Sequence, residues 1–371
     1  MSNLTWFQIH NAAVIDSPAL LVFPERMQQN IQTAIKMIGD ANRLRPHVKT
    51  HKCAEVARMM IVAGIHKFKC ATIAEAEMLG MVEARDVLLA YQPNGPKLER
   101  FIQLIKKYPL TNFSCITDNK ISAAAMSAAF ADAGLKVPVY IDLNIGMNRT
   151  GILPKEDAIE LYRFCSTAAG LIVKGIHAYD GHITNPDPQQ RQREADEAFS
   201  KTNEFAQQIK KAGLPEPTII MSGSPTFSFH CKRPGIECSP GTFIYWDKSY
   251  MDNCAEQKFF PAAILLTRVV SLPGEKKICT DLGHKSVAAE NELSRRAFFP
   301  GHEHLKAISH SEEHLVLENT SDHVYQPGDI LYAIPFHICP TVALYESVYV
   351  IEDGKHVGNW KNIARDRMIS V

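Results

Sequence analysis

The chain has 371 residues, 46% of them hydrophobic and 22% charged, and its 40 lysines and arginines balance 40 aspartates and glutamates. That length and composition describe an ordinary globular protein of two domains. Zero net charge without a basic run or tail excludes nucleic acid and an anionic membrane surface as partners.

The first ten residues lack the basic region and apolar core of a signal peptide. No apolar run approaches the ~20 residues that span a bilayer. Nine cysteines follow no framework spacing, which reads as reduced thiols in a cytoplasmic enzyme. In chain order, an apolar run at 19–23 precedes a helical pattern at 25–38. Eight further extended runs follow, at 44–49, 67–72, 86–91, 113–118, 138–144, 173–179, 218–223 and 241–246. Helical patterns at 54–62, 73–81, 96–107, 120–133, 155–168 and 189–212 separate them. Eight strands alternating with helices predict a (β/α)8 barrel. A doubly wound open sheet would carry a glycine-rich fingerprint after its first strand, and none is present.

Beyond about residue 250 the pattern changes to short β-like runs at 260–270, 277–281, 314–318, 329–334 and 347–352, broken by Pro273-Gly274, Pro327-Gly328 and Asp353-Gly354. No helix is expected among them. The reading is an α/β chain with a barrel over 14–250 and a β-rich domain over 251–371, to which residues 1–13 add a strand.

The candidate chemistry lies where barrels keep it, at the carboxyl ends of the strands. Lys49 ends the run 44–49 inside Arg45-Pro-His-Val-Lys-Thr-His-Lys52. Neighbouring cations favour the neutral, nucleophilic amine, which condenses with aldehydes. Arg149 stands between two glycines in the turn after the fifth strand, and Tyr179-Asp-Gly-His182 ends the sixth. Ser222-Gly-Ser-Pro-Thr226, with Gly241 and Thr242 on the neighbouring strand, offers hydroxyls and backbone N–H groups to a phosphate. In the β-rich part, His337-Ile-Cys339 places an imidazole and a thiol at i and i+2, which on a strand share one face and can hold one metal ion. That donor pair favours zinc. The other histidines of the C-terminal part have no ligand spacing.

These motifs together resemble the fold-type III pyridoxal-phosphate enzymes, in the branch of D-threonine aldolases and D-serine dehydratases, with an alanine racemase-like barrel. The resemblance extends over nearly the whole chain, including Asp281-Leu-Gly-His-Lys285 at the start of the β domain. It implies that Lys49 carries pyridoxal 5'-phosphate covalently and that His47, Arg149 and Tyr179 contact it. It further implies that Ser222, Gly223, Ser224, Thr226, Gly241 and Thr242 hold its phosphate. His182 is the implied base, and His337 and Cys339 hold a divalent metal, zinc first and manganese second. The implied assembly is a homodimer in which one subunit's β domain closes the other's active site. The expected substrates are D-β-hydroxy-α-amino acids. Retro-aldol cleavage to glycine and an aldehyde is the first reading. Dehydration of D-serine or D-3-hydroxyaspartate is the alternative, and racemisation a further one. Cys339 departs from the aldolase pattern, which often has aspartate there, and matches the dehydratase pattern. A non-catalytic cofactor carrier has no use for a catalytic metal pair.

Overall fold

The structure, a computed structural model, describes residues 6–371. The chain divides into two compact units: residues up to Ile31 with Thr50–Cys53 and Thr242–Ile363, and Gln32–Lys49 with Ala54–Gly241 and Ala364–Val371.

The second unit is built on a seven-stranded parallel sheet in sequence order: Lys67–Cys70, Asp86–Leu89, Asn112–Thr117, Val137–Asp142, Leu171–Ala178, Thr218–Met221 and Ile236–Cys238. Residues 44–47 bridge its two edges. Leu44 pairs with Cys238 and His47 with Lys69, both in parallel. The Arg45 N–H donates to Cys238 O, and the Lys69 N–H to Pro46 O. The segment therefore serves as the eighth stave of the barrel. It stays short of a full strand because Pro46 offers no N–H to a ladder, and the chain turns into a 3-10 segment at Val48–Thr50. Arg45 joins the same seam by charge, its buried guanidinium meeting Asp86 at 2.6 Å and Glu237 at 2.8 Å. Leu88, Ile116, Tyr140 and Ile220 fill the interior.

The helices lie where apolar spacing and caps direct them. Thr72 accepts from the Glu75 N–H to start Ile73–Met81, and Gly95 precedes a proline at the first turn of Pro96–Lys107. Two expectations for this part need correction. The run 241–246 is not a strand: the last strand is Ile236–Cys238, directly after the Pro234-Gly235 turn, and Thr242–Ile244 is a buried 3-10 segment. The run at 19–23 does not begin the barrel. Ala19–Val22 pairs antiparallel with Ala263–Gly274 and parallel with Ser347–Glu352.

That pairing lies in the nine-stranded sheet of the first unit. Its order is Leu305–His310, Leu315–Asn319, Lys277–Thr280, Ala263–Gly274, Ala19–Val22, Ser347–Glu352 and Lys355–Lys361, with Ile330–Pro335 also on Ala263–Gly274 and Ala297–Phe298 beyond it. The strand that the N-terminal part adds to this sheet is Ala19–Val22, and the described residues 6–13 add none. Of residues 1–13, the first five lie outside the described residues. Phe7, Ile9 and Ala12 pack instead into the core with Leu21, Ile264, Leu266 and Ile351. The helix Ile338–Leu344 corrects the expectation of no helix in this part. Among the described residues no helix is long and apolar enough to cross a membrane. Among the described residues no disulfide joins the cysteines.

Candidate active site

The barrel unit contains a cavity of about 610 Å³ lined by His47, Lys49, Lys69, Asp142, Met147, Arg149, Thr150, His177 and Tyr179, among others. Lys49 reaches it because the eighth stave ends two residues earlier, at His47, and the Lys49 N–H donates to His47 Nδ1 at 3.2 Å, which fixes the turn. Arg149 comes from the loop after Val137–Asp142. The Asn144 side-chain oxygen accepts from the N–H groups of Gly146 and Asn148, and Asn148 takes a positive φ of 51°. The guanidinium of Arg149 then stands 5.2 Å from the centroid of the Tyr179 ring.

Tyr179 sits on glycine. A Cβ at Gly181 would fall 2.2 Å from its ring, and one at Gly223 would fall 3.1 Å away. The two glycines thus form a backbone cradle for the ring. His182 is placed differently: it is exposed, does not line the cavity, and packs over Gly146, where a Cβ would meet its Nε2 at 2.5 Å.

Ser222, Ser224 and Thr226 are all buried, and Ser222 takes a positive φ of 78°. Two of the backbone donors expected for a phosphate are turned to the chain's own acceptors. The Gly223 N–H donates to Asp180 Oδ1 at 3.0 Å and the Gly241 N–H to Ser224 Oγ at 3.2 Å.

Sequence reasoning missed four side chains here. Asp142 and His177 form a buried pair, Oδ1 to Nδ1 at 2.7 Å. Burial, aided by the neighbouring Lys69 charge, outweighs that bond and holds the His177 imidazole below its ordinary pKa. Asp180 accepts from His230 Nε2 at 2.8 Å. Burial alone would raise its pKa, but hydrogen bonds led by that from His230 bring it below the ordinary value. Lys69 is the fourth. Each stands in the last two residues of a strand or just beyond one, and only the barrel geometry brings them together.

In the β-rich unit His337 is the residue preceding the helix Ile338–Leu344, and Cys339 lies in that helix's first turn. The expectation of a shared strand face is therefore corrected, yet the two side chains still meet by a hydrogen bond. A residue at a helix N-cap points its side chain back over the first turn, and that brings imidazole and sulfur together. His337 Nδ1 also pairs with Glu290. Cys339 Sγ lies 3.2 Å from Thr50 Oγ1 and 3.8 Å from Thr242 Oγ1. Asp247, another residue missed by the sequence, is buried and accepts from the Ile338 N–H at 3.1 Å. Burial would lower the His337 pKa, but Cys339, Glu290 and Asp247 raise it to about 9. Burial also pushes the Asp247 carboxyl up to about 7. Among the described residues, no group of three or more histidine, cysteine, aspartate or glutamate side chains is arranged around a common ion.

The alanine racemase N-terminal domain model matches residues 23–249, and a putative serine dehydratase domain model matches residues 262–351. The chain belongs to the alanine racemase N-terminal domain family.

It is 25% identical over 362 residues to a D-threonine aldolase of Arthrobacter sp., covering 95% of this chain and 93% of that one. A 3-hydroxy-D-aspartate aldolase of Paracoccus denitrificans is 26% identical over 370 residues, with the same coverage. The crystal structure of D-threonine aldolase from Filomicrobium marinum superposes with a TM-score of 0.88 at 26% identity, covering 95% of this chain and 96% of that one. D-threo-3-hydroxyaspartate dehydratase from Delftia sp. HT23 superposes at 0.83 and 21% identity over 94% of this chain and 98% of that one, a likeness of fold. Pyridoxal phosphate is the cofactor of this fold-type III family.

The cavity suits such a group. It presents a lysine amine and a ring seated on glycine backbone. The cations Lys49 and Arg149 outnumber the carboxylate of Asp142, which is already bonded to His177.

Proposed function

We propose that this chain is a pyridoxal-phosphate-dependent lyase of D-β-hydroxy-α-amino acids, cleaving the Cα–Cβ bond to give glycine and an aldehyde. The observation that carries it is the placement of Lys49 at the end of the closing stave, in one cavity with Arg149 and Tyr179. The two family models over the barrel and the β-rich part support it.

Bound pyridoxal phosphate supplies a sink for electrons released at Cα. Lys49 holds the cofactor through its amine, Tyr179 and Arg149 flank it, and His47 orients the turn that presents Lys49. Ser222, Ser224, Thr226 and Thr242 are the proposed phosphate contacts, with Gly223 and Gly241, whose N–H groups would exchange Asp180 and Ser224 for the phosphate. His337 and Cys339 are the proposed ligands of a divalent ion, zinc before manganese, a Lewis acid for the substrate β-hydroxyl. Removing the hydroxyl proton is the role proposed for His182, which stands outside the cavity lining, over Gly146 of the loop that carries Arg149. The enzyme is proposed to be a homodimer.

Dehydration to a 2-oxo acid and ammonia is the second reading, and Cys339 favours it. Incubation with D-threonine and D-serine, with products identified by mass, tests both. Glycine and acetaldehyde from D-threonine support the first reading. Pyruvate and ammonia from D-serine, without glycine from D-threonine, support the second. Loss of chirality without cleavage would contradict both.

A further inference from the structure

The cavity contains a second lysine that the function above leaves unused. Lys69, on the strand Lys67–Cys70, is 2% exposed. Its Nζ donates to Ser239 Oγ at 2.5 Å, and Ser239 Oγ donates onward to Ser222 O at 3.0 Å. His177 Nε2 lies 3.5 Å from Nζ. Because His177 Nδ1 bonds the Asp142 carboxylate, Nδ1 bears the proton and Nε2 is left to accept from Lys69. The Tyr179 ring centroid is 5.2 Å from Nζ.

The charged groups that bear on Lys69 from the surrounding elements are Lys49, Arg149, Asp142 and Asp180. Neither acid pairs with it. Asp142 accepts from His177 and from Thr150 Oγ1 at 2.8 Å, and Asp180 accepts from His230 and the Gly223 N–H. A lysine buried this deeply, beside two cations and without a carboxylate in contact, is more stable as the neutral amine. Burial first, and then Lys49, bring its pKa down to about 7. A third anionic partner would reverse that balance.

We propose that Lys69 is a proton-linked anion receptor in this cavity: uncharged while no anion is present, and protonated when a phosphate monoester or carboxylate enters beside it. The proposal rests on the cavity being the cofactor and substrate site described above. It makes charge compensation part of ligand binding and assigns it to a residue other than the one that carries the cofactor.

Isothermal titration calorimetry at pH 8 in two buffers of different ionisation heat measures the protons taken up. In one arm the full chain freed of cofactor receives pyridoxine 5'-phosphate, which has no aldehyde to condense with Lys49. In the other, the cofactor-loaded chain receives D-malate, which has no amine. Uptake of about one proton is expected in at least one arm. Uptake in the first assigns the anion to the cofactor, and uptake in the second alone assigns it to the substrate carboxylate. Lys69→Met should abolish uptake and weaken binding roughly tenfold or more. Lys69→Arg, a permanent cation, should bind without uptake. Binding heats independent of buffer in the wild-type protein would overturn the proposal alone, as would uptake that persists in Lys69→Met. Absence of any binding in either arm would overturn the functional reading and this proposal with it.

Discussion

Lys69 has a stability consequence separate from ligand binding. The unfolded chain holds this proton up to the ordinary lysine value of 10.5, whereas the folded, empty chain holds it only to about 7. Between those values the unfolded state binds more protons, so the contribution of Lys69 to stability rises with pH, and its cost is fully present below pH 7. Lys69→Met should therefore stabilise the cofactor-free protein, by on the order of a few kcal/mol at pH 6 and by much less at pH 9. Denaturant unfolding at the two pH values checks this, and an equal gain at both would mean that Lys69 is not titrating. The divalent ion proposed at His337 and Cys339 is required for turnover. Chelation should abolish product, Cys339→Ala should behave like the chelated enzyme, and Cys339→Asp should recover some activity with a harder metal such as manganese. Turnover at the normal rate after chelation would make the ion dispensable.

At the scale of elements, the barrel seam depends on Arg45. It is fully buried between Asp86 and Glu237, so Arg45→Met would leave the largely buried Glu237 carboxylate without this partner. The expected loss is about 3–5 kcal/mol, somewhat less where Lys67 still reaches Glu237, read from a shifted urea midpoint. The glycine cradle gives a second prediction. Gly223→Val would drive a side chain into the Tyr179 ring and should weaken cofactor retention with the circular dichroism of the fold preserved. Unchanged retention would show that the ring is not part of the cofactor's seat.

The same elements show what a sequence can disclose. Ile73–Met81 and Pro96–Lys107 were legible to the residue, because Thr72 and the Gly95-Pro96 pair are local start signals. The eighth stave was legible as an extended run but not as two isolated bridges, since Pro46 sets its hydrogen bonding only once both neighbours are present. Leu305–His310 and Lys355–Lys361 escaped because they are mostly exposed and carry little apolar alternation. His337 and Cys339 were found as a pair on the wrong element. Pro340, tolerated in a first helical turn, was the signal for the helix that places them.

For the molecule as a whole, the motif lysine, the arginine turn and the tyrosine were legible in order along the chain, and the structure gathers them around one cavity. Lys69, Asp142, His177 and Asp180 were not, because nothing local distinguishes a buried polar residue in a strand from an exposed one. Their partners lie on other strands, so only the closed barrel reveals them. The proposed cofactor anchor in this cavity is Lys49 and not one of the neighbouring amines. Borohydride reduction of the cofactor-loaded protein, followed by proteolysis and mass spectrometry, tests it directly. The reduced cofactor is expected on the peptide that contains Lys49. Labelling at Lys69 or Lys52, with Lys49 unmodified, would contradict it.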